Sequence, residues 1–260
     1  MSLERNNISR ASATVKWAVP NTTMAKSALT RAIIQEQWAV AIQLVRETPK
    51  LAHRWSQEEG LFDGKTTAHV LPLHEALIAK APLEVIEALV KAYPKALMKA
   101  ETSFQRLPLH CACKMNADPE VIKFLVDSNA QSGLQVDTLG RVPVHYALTN
   151  GANPATVQIL LDTASLAAKS TDNRGWTPVH IAVSVNAHPE IVKELLIFNP
   201  NAVNMRTNKG TELKNCIAKD CSHQEEFKAM IAATQQEVGP LANFQELRNK
   251  SIRASGLILA

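Results

Sequence analysis

Long apolar runs and enzyme signatures are missing from this sequence. No segment approaches the roughly 18 consecutive apolar residues that a membrane-spanning helix requires, and the first thirty residues lack the apolar core of a secretory signal. No glycine-rich phosphate loop, HExxH pattern or GxSxG pattern occurs. These absences predict a protein with no membrane partner, no cofactor and no catalytic activity of its own.

The body of the chain also lacks a net charge of either sign. Of the formal net charge of +4, none lies in residues 27–236, which carry 21 basic and 21 acidic side chains. A neutral body lacks the electrostatic footprint of a nucleic-acid binder, so the sequence predicts no nucleic-acid partner. Residues 1–26 form a basic leader, which is expected to be flexible, with organelle targeting as the open alternative. Residues 237–260 form a tail that either docks on the last helix pair or serves as a recognition segment.

Four segments of the sequence align with one another at a nearly constant spacing. They read LPLHEAL from residue 71, LPLHCAC from 107, VPVHYAL from 142 and TPVHIAV from 177. Their histidines are separated by 36, 35 and 35 residues, at His74, His110, His145 and His180. Such a period predicts a stack of equivalent supersecondary units.

Each period carries the pattern of two helices. The first helix begins at the proline before the histidine, and the second begins at Pro119, Pro154 or Pro189. The residue before each of these prolines is of a capping type, which satisfies a free amide, and proline at the first helical position loses no hydrogen bond. Apolar residues then recur at i, i+3 and i+4, which indicates one buried stripe of an amphipathic helix. We predict units over 71–106, 107–141, 142–176 and 177–211.

Two degenerate units flank these four, over 27–70 and 212–236. Thr30 and Asn215 stand where the histidine would be. Because the terminal units of a stack need one polar face, they are expected to depart from the pattern, and we interpret both as caps. The first also contains an insertion over 52–70, whose Trp55 and Phe62 either cover the exposed core of the first unit or hold a ligand.

The repeated units resemble ankyrin repeats, whose TPLHxA signature is similar to TPVHIA at residues 177–182. The resemblance implies an all-α solenoid of five to six helix-turn-helix repeats with degenerate caps. It further implies a non-enzymatic scaffold or adaptor that binds protein, or alternatively a regulatory or substrate-positioning subunit of an enzyme complex. The period exceeds the usual length of about 33 residues, and the extra residues follow the second helix, in KAYPKAL and IFNPNAV.

The four histidines are predicted to be structural. A catalytic histidine occurs once, with a base, nucleophile or metal converging on it, whereas these occupy equivalent places in successive units. The signature threonine survives only as Thr177, so a threonine–histidine hydrogen bond is available in one unit at most. The histidines are therefore expected to bond to backbone in the adjoining turn.

The four cysteines are predicted to be reduced and mostly buried. Cys111 and Cys216 lie three periods apart, roughly 30 Å at helix-packing spacing, whereas a disulfide needs Cα atoms within about 7 Å. The segment CIAKDCSH offers Cys216, Cys221 and His223 as ligands but lacks a fourth at structural-zinc spacing. We therefore expect no metal site and an intracellular, cytoplasmic or nuclear location.

The turn tips and the ends of the first helices form the predicted protein-binding face, by analogy with ankyrin repeats. Arginines and large apolar side chains, which interface hot spots favour, recur there without any acidic residue. We predict a monomer whose partner is another protein, with an acidic or phosphorylated segment. The residues of this face are Phe104, Arg106, Lys114, Met115, Leu139, Arg141, Thr149, Asn150, Arg174, Trp176, Ser184, Val185 and Lys209.

The turns themselves have a predicted construction. Gly140, Gly175 and Gly210 permit a tight backbone, and Asp137 and Asp172 are expected to bond the backbone of the turns that they begin. The alternative to the binding face is that Trp176 packs between neighbouring turns and the arginines only aid solubility.

Overall fold

A computed structural model describes residues 26–61 and 66–239 of the chain. This range excludes Phe62, residues 1–25 of the predicted leader and residues 240–260 of the predicted tail. Helices arranged in antiparallel pairs dominate the described residues. The α-helices are α1 (Ala28–Ile34), α2 (Trp38–Glu47), α3 (Pro72–Ile78), α4 (Leu83–Ala92), α5 (Pro108–Lys114), α6 (Pro119–Ser128), α7 (Pro143–Thr149), α8 (Pro154–Thr163), α9 (Pro178–Ser184), α10 (Pro189–Phe198) and α11 (Gln224–Val238).

The repeating unit has a seven-residue first helix and a ten-residue second helix. Four residues separate the two helices, and one of them has the left-handed conformation, as Asn116 does with a φ of 50° between α5 and α6. This conformation ends the first helix and reverses the chain direction. Of the predicted caps of the second helices, Asn153 accepts a hydrogen bond from the Thr156 amide at 2.8 Å. The prediction is wrong at Asp118, whose side chain makes no capping bond.

A short 3₁₀ helix follows the second α-helix of each unit and accounts for the long period. The predicted position of the extra residues is therefore confirmed. A single residue connects each of these segments to the preceding α-helix. The chain then runs back towards the next turn tip. They span Pro49–His53, Pro94–Met98, Ala130–Leu134, Ser165–Lys169 and Pro200–Asn204.

The hydrophobic core runs along the stack, because each helix packs on its counterpart in the next unit. Helix α6 packs on α8, and α5 packs on α7. The predicted stripes of the second helices are buried, with Ile122, Leu125 and Val126 each 0% exposed. Burying a side chain of this size contributes about 1.5–3 kcal/mol, so the apolar stripes supply most of the favourable free energy of the stack.

The four repeated histidines are buried in the third position of each first helix. In each, Nδ1 accepts a hydrogen bond from the amide that precedes the helix, as in His145 with the Val142 amide at 3.2 Å. His110 Nε2 lies 3.0 Å from the carbonyl oxygen of Arg141, and His145 Nε2 lies 3.2 Å from that of Trp176. The predicted bond to the adjoining turn is thus confirmed in these two units.

The chemistry of these histidines agrees with the structural interpretation. Burial lowers the pKa of His74 and of His110 to about 4, so both imidazoles are neutral at pH 7. A neutral ring whose Nδ1 accepts a bond carries its proton on Nε2, where it can donate to a carbonyl of the next turn. Among the four repeated histidines, His180 has the predicted threonine contact, with Thr177 Oγ1 2.7 Å from its Nδ1.

The terminal units have the atypical forms that the sequence predicts. In the first, Thr30 occupies the histidine position, and its amide donates to the Ser27 hydroxyl at 3.0 Å. In the last, a 3₁₀ helix over Leu213–Cys216 replaces the first α-helix. Helix α11 then packs against α10 through Phe227, which is 0% exposed.

The insertion forms an antiparallel hairpin that the sequence did not predict. Strand β1 (Ser56–Glu59) pairs with β2 (Thr67–Val70), with Ser56 opposite Val70. Trp55 is 44% exposed, and its role, either as a cover for the core of the first unit or as a contact for a ligand, stays a prediction. The end of β2 instead joins the first turn, because the Thr102 amide donates to the His69 carbonyl. Within residues 26–61 and 66–239, no helix has the length and apolar character needed to span a membrane.

Candidate functional site

Each turn between units is held by the side chain of its first residue. Asp137 Oδ1 accepts from the amides of Leu139 at 2.8 Å and Arg141 at 2.9 Å. Asp172 Oδ1 accepts in the same way from Arg174 and Trp176, both at 2.9 Å. These bonds confirm the predicted role of the two aspartates, and they leave the turn tips rigid.

Successive turns are also bonded to one another, which sets the tips in a row. Each later turn donates a backbone amide to a carbonyl of the turn before it, at 2.9 Å. The pairs are Thr138 with Phe104, Asn173 with Leu139, and Asn208 with Arg174.

Glycine is required where the turns approach so closely. Gly175 has a φ of +76°, and a Cβ there would lie 2.5 Å from Asn208 Oδ1 and 2.8 Å from the Asn208 amide nitrogen. Gly140 has the same relation to Asn173. The predicted need for glycine is therefore confirmed at both turns, and its cause is both the backbone conformation and the neighbouring turn.

The outermost row of the predicted face consists of Phe104, Leu139, Arg174 and Lys209, one residue from each turn. Leu139 is 39% exposed, and Arg174 and Lys209 are exposed as well. Phe104 is half-buried, because the Arg106 guanidinium lies 4.2 Å from the centre of its ring. The row thus presents apolar surface at one end and positive charge at the other.

Arg106 does not lie on the surface, and its predicted place on an exposed tip is wrong. It is 4% exposed. Its Nε donates to the Tyr146 hydroxyl at 3.0 Å and lies 3.7 Å from Asp137 Oδ2. The guanidinium is thus held between a hydroxyl, a carboxylate and two aromatic rings, which together compensate its burial.

Tyr146 is the residue at this site that the sequence reasoning missed. Its hydroxyl accepts from Arg106 and donates to Asp137 Oδ2 at 2.5 Å, joining two turns through the first helix of one unit. Burial, followed by the bond to Asp137, raises the pKa of Tyr146 to about 12. A signal existed in the sequence, because Tyr146 follows the repeated histidine and stands at the same repeat position as Glu75 and Cys111.

The next row contains Arg141 and Trp176, which the structure brings together beside Asp172. Arg141 Nε lies 3.7 Å from Asp172 Oδ2, and its guanidinium lies 5.5 Å from the centre of the Tyr146 ring. Trp176 is half-buried against the core, with its ring 6.3 Å from that of His180. Both side chains are therefore partly fixed before any partner arrives.

The inner row lies at the ends of the first helices. Val185 is 41% exposed, and Lys114, Met115 and Ser184 are half-buried. Several polar groups of this row bond to their own helix: Thr149 Oγ1 donates to the His145 carbonyl at 2.7 Å, and Asn150 Nδ2 donates to the Tyr146 carbonyl at 2.8 Å. The inner row thus combines the apolar surface of Met115 and Val185 with one lysine and the exposed polar residues Thr149 and Asn150.

At the hairpin end of the same face lies a buried carboxylate. Glu75 on α3 is 5% exposed, and its Oε1 accepts from the Ser56 hydroxyl. Burial is the largest influence on this carboxyl and raises its pKa, the bond from Ser56 lowers it, and the neighbouring charge of Glu58 raises it, so that the pKa of Glu75 is raised to about 7. Glu58 is in turn paired with Lys26 at 2.7 Å. The sequence reasoning did not detect this cluster, because Ser56 and Glu58 come from the unpredicted hairpin.

The thiols and the candidate metal ligands do not form a reactive centre. All four cysteines are buried and free, as predicted, and burial raises the pKa of the Cys111 thiol to about 12. Cys221 Sγ donates to Asn186 Oδ1 at 2.9 Å. In the described part of the chain, no three histidine, cysteine or acidic side chains converge in a way that could hold a metal ion.

Comparison with known proteins gives one match. A family model described as ankyrin repeats (three copies) matches residues 73–165 and, in an overlapping second match, residues 109–208. A search of curated proteins found no match to the chain.

Proposed function

Since this chain belongs to the ankyrin-repeat family, whose repeats generally mediate protein–protein interactions, we propose that it is a scaffold or adaptor. The proposed binding surface consists of the turn tips and the ends of the first helices. The observation that carries the proposal is the alignment of rigid turns, which presents side chains of successive units on one face. A face built in this way loses little conformational entropy when a partner binds.

The composition of the face supports a protein partner. Exposed Leu139 and Val185 and half-buried Trp176 supply apolar area near the centre of the stack. Arg174 and Lys209 lie at the tips and make no ion pair within residues 26–61 and 66–239. Aromatic and arginine side chains around apolar area are the composition of interface hot spots.

We propose that the partner presents an acidic or phosphorylated segment. Asp137 and Asp172 accept backbone bonds through Oδ1, and their Oδ2 atoms lie 3.7 Å from Arg106 and Arg141, so they do not pair with the outermost cations Arg174 and Lys209. Arg174 and Lys209, which make no ion pair within residues 26–61 and 66–239, thus remain available to a carboxylate or phosphate, and a guanidinium binds such a group through paired hydrogen bonds.

The experiment is affinity purification from the native cell with three forms of the full chain. The triple variant R141A/R174A/W176A should lose the proteins that the natural chain captures, while its far-UV circular dichroism stays unchanged. The variant R141E/R174E keeps Trp176 and should lose the same proteins through charge alone. A matched control, K169A/K193A/I197A, changes two exposed lysines and an exposed apolar residue elsewhere and should capture the full set. Equal capture by all forms would show that the proposed binding surface does not bind these proteins.

We further propose that the chain has no catalytic activity of its own. The repeated histidines bond to backbone, and burial keeps both the thiols and the imidazoles in their neutral forms. Neither group is therefore available as a nucleophile or a general base at neutral pH. The free thiols also support a reducing, intracellular location.

A further inference from the structure

Six basic side chains gather at the outer ends of the first two units. They lie in the last turns of α2 and α4, in the 3₁₀ helices that follow, and just beyond those helices. The first three recur 45 residues later in the second unit, so the six form two adjacent rows of three. All six are exposed, and together they are called the basic patch: Arg46, Lys50, Arg54, Lys91, Lys95 and Lys99.

The patch is not neutralised by its surroundings. None of its six members forms an ion pair within the described ranges 26–61 and 66–239. Glu47, the one acidic residue among residues 46–54 and 91–99, accepts a bond from Gln43. Six unit charges therefore face solvent without an ion-pair partner among the described residues.

The fold does not require this charge. The helix dipole favours a cation in the last turn, which accounts for Arg46 and Lys91 but not for the four residues beyond the α-helices. The equivalent positions of later units are acidic or neutral. In the third unit they are Asp127, Gln131 and Gln135, and in the fourth Asp162, Leu166 and Ser170.

Flat rings lie among the cations. His53 is exposed and stacks on Tyr93, with ring centres 3.9 Å apart and planes inclined by 18°. Trp55, which follows Arg54 directly, is 44% exposed. The exposed part of the Trp55 ring offers a flat apolar surface, next to Arg54 in the chain, on which a planar group of a ligand can stack.

We propose that the basic patch binds single-stranded nucleic acid. Phosphates of a flexible strand would neutralise the two rows of cations, and unstacked bases would stack on Trp55 and on the open side of His53. An acidic peptide offers carboxylates but no planar groups for these rings, and a duplex keeps its bases stacked and out of reach.

This inference departs from the sequence-based expectation of no nucleic-acid partner. That expectation rested on the equal numbers of basic and acidic residues in the body, 21 of each. The cations of the patch are spread over residues 46–99 in the chain, and only the stacking of α2 on α4 brings them together. A net charge of zero over the body therefore conceals a local excess of positive charge.

The experiment measures binding of a fluorescein-labelled twelve-nucleotide oligouridylate to the full chain by fluorescence anisotropy, from 20 to 200 mM NaCl. Six phosphate contacts on a single strand predict a slope of about −4 for log K against log salt concentration. The variant K50Q/K95Q should lower that slope to about −3. The matched control K169Q/K193Q removes two exposed lysines outside the patch and should leave affinity and slope unchanged.

Trp55→Ala tests the stacking separately from the charge. It should weaken oligouridylate binding roughly ten-fold at 50 mM NaCl while leaving the salt slope unchanged. Absence of binding at 20 mM NaCl would overturn the proposal, as would equal affinities for K50Q/K95Q and its control. Tighter binding of polyglutamate or of phosphatidylserine vesicles through the same lysines would also overturn it, in favour of a protein or membrane partner. All these variants retain the residues of the protein-binding face, so failure of this test is distinguishable from failure of the proposed protein-binding function.

Discussion

The buried carboxylate of Glu75 should make the stability of the protein depend on pH around neutrality. The residue is 5% exposed, and the hydroxyl groups of Ser56 and Thr30 are the hydrogen-bonding groups that act on its carboxylate. The charged groups that act on it are Glu58, which opposes ionisation, and Lys26, which favours it. Burial is the largest influence, and the net result is a pKa of about 7 in place of an ordinary value of 4.5.

The sign of the effect follows from where the proton is bound. Between pH 4.5 and pH 7 the folded chain holds a proton on Glu75 that the unfolded chain has released, so folding becomes less favourable as pH rises through this window. At about 1.4 kcal/mol per pH unit, the full loss is about 3 kcal/mol, of which about 2 kcal/mol falls between pH 5.5 and pH 8.0. Above pH 8 the loss is complete and the contribution no longer changes.

Glu75→Gln removes the titration while keeping an oxygen that can accept from the Ser56 hydroxyl. We expect the free energy of unfolding of the natural chain to fall relative to that of E75Q by about 2 kcal/mol between pH 5.5 and pH 8.0. Urea unfolding followed by far-UV circular dichroism at the two pH values measures this difference. The control E87Q alters an exposed carboxylate on the adjacent helix and should follow the natural chain. Parallel behaviour of E75Q and the natural chain would refute the reasoning.

Two further substitutions test the turns. Gly175→Ala should lower the midpoint of thermal unfolding more than Gly151→Ala, because both residues have positive φ but only a Cβ at 175 would contact Asn208; equal shifts would show that backbone conformation alone matters. Tyr146→Phe should cost about 1–3 kcal/mol in urea unfolding, because it removes the hydroxyl that bonds both the buried Arg106 and Asp137; a cost below about 0.5 kcal/mol would show that the remaining contacts of the guanidinium, with Asp137 and the aromatic rings, are sufficient.

Repetition made much of the stack predictable. Four copies of one pattern fixed the place of the histidines, the helix starts and the extra residues after each second helix, because local signals that agree four times outweigh chance. The prediction was weaker for single residues. Asp118 is of a residue type that caps helices, but its side chain makes no capping bond. Arg106 is of a residue type that is usually exposed, but it is buried.

The features that the sequence did not reveal share a physical cause. Each depends on contacts between segments that are distant in the chain and belong to different units. Arg106 is buried because Tyr146, forty residues later, supplies its partner. Glu75 is buried beneath a hairpin whose strands lack a strong alternating pattern, and its partner Ser56 lies nineteen residues earlier. The repeat period shows only the residues that the units share, whereas these contacts involve residues that differ between units.

The histidine bonds of the central units also give the molecule a direction. The Nε2 atoms of His110 and His145 each bond to a carbonyl 31 residues downstream, at the last residue before the following unit. Truncation before Arg141 or Trp176 would leave the corresponding buried imidazole without its acceptor, whereas removal of the units upstream of His110 would leave both bonds intact. Shortening from the carboxyl end should consequently unravel the remainder further than an equal shortening from the amino end.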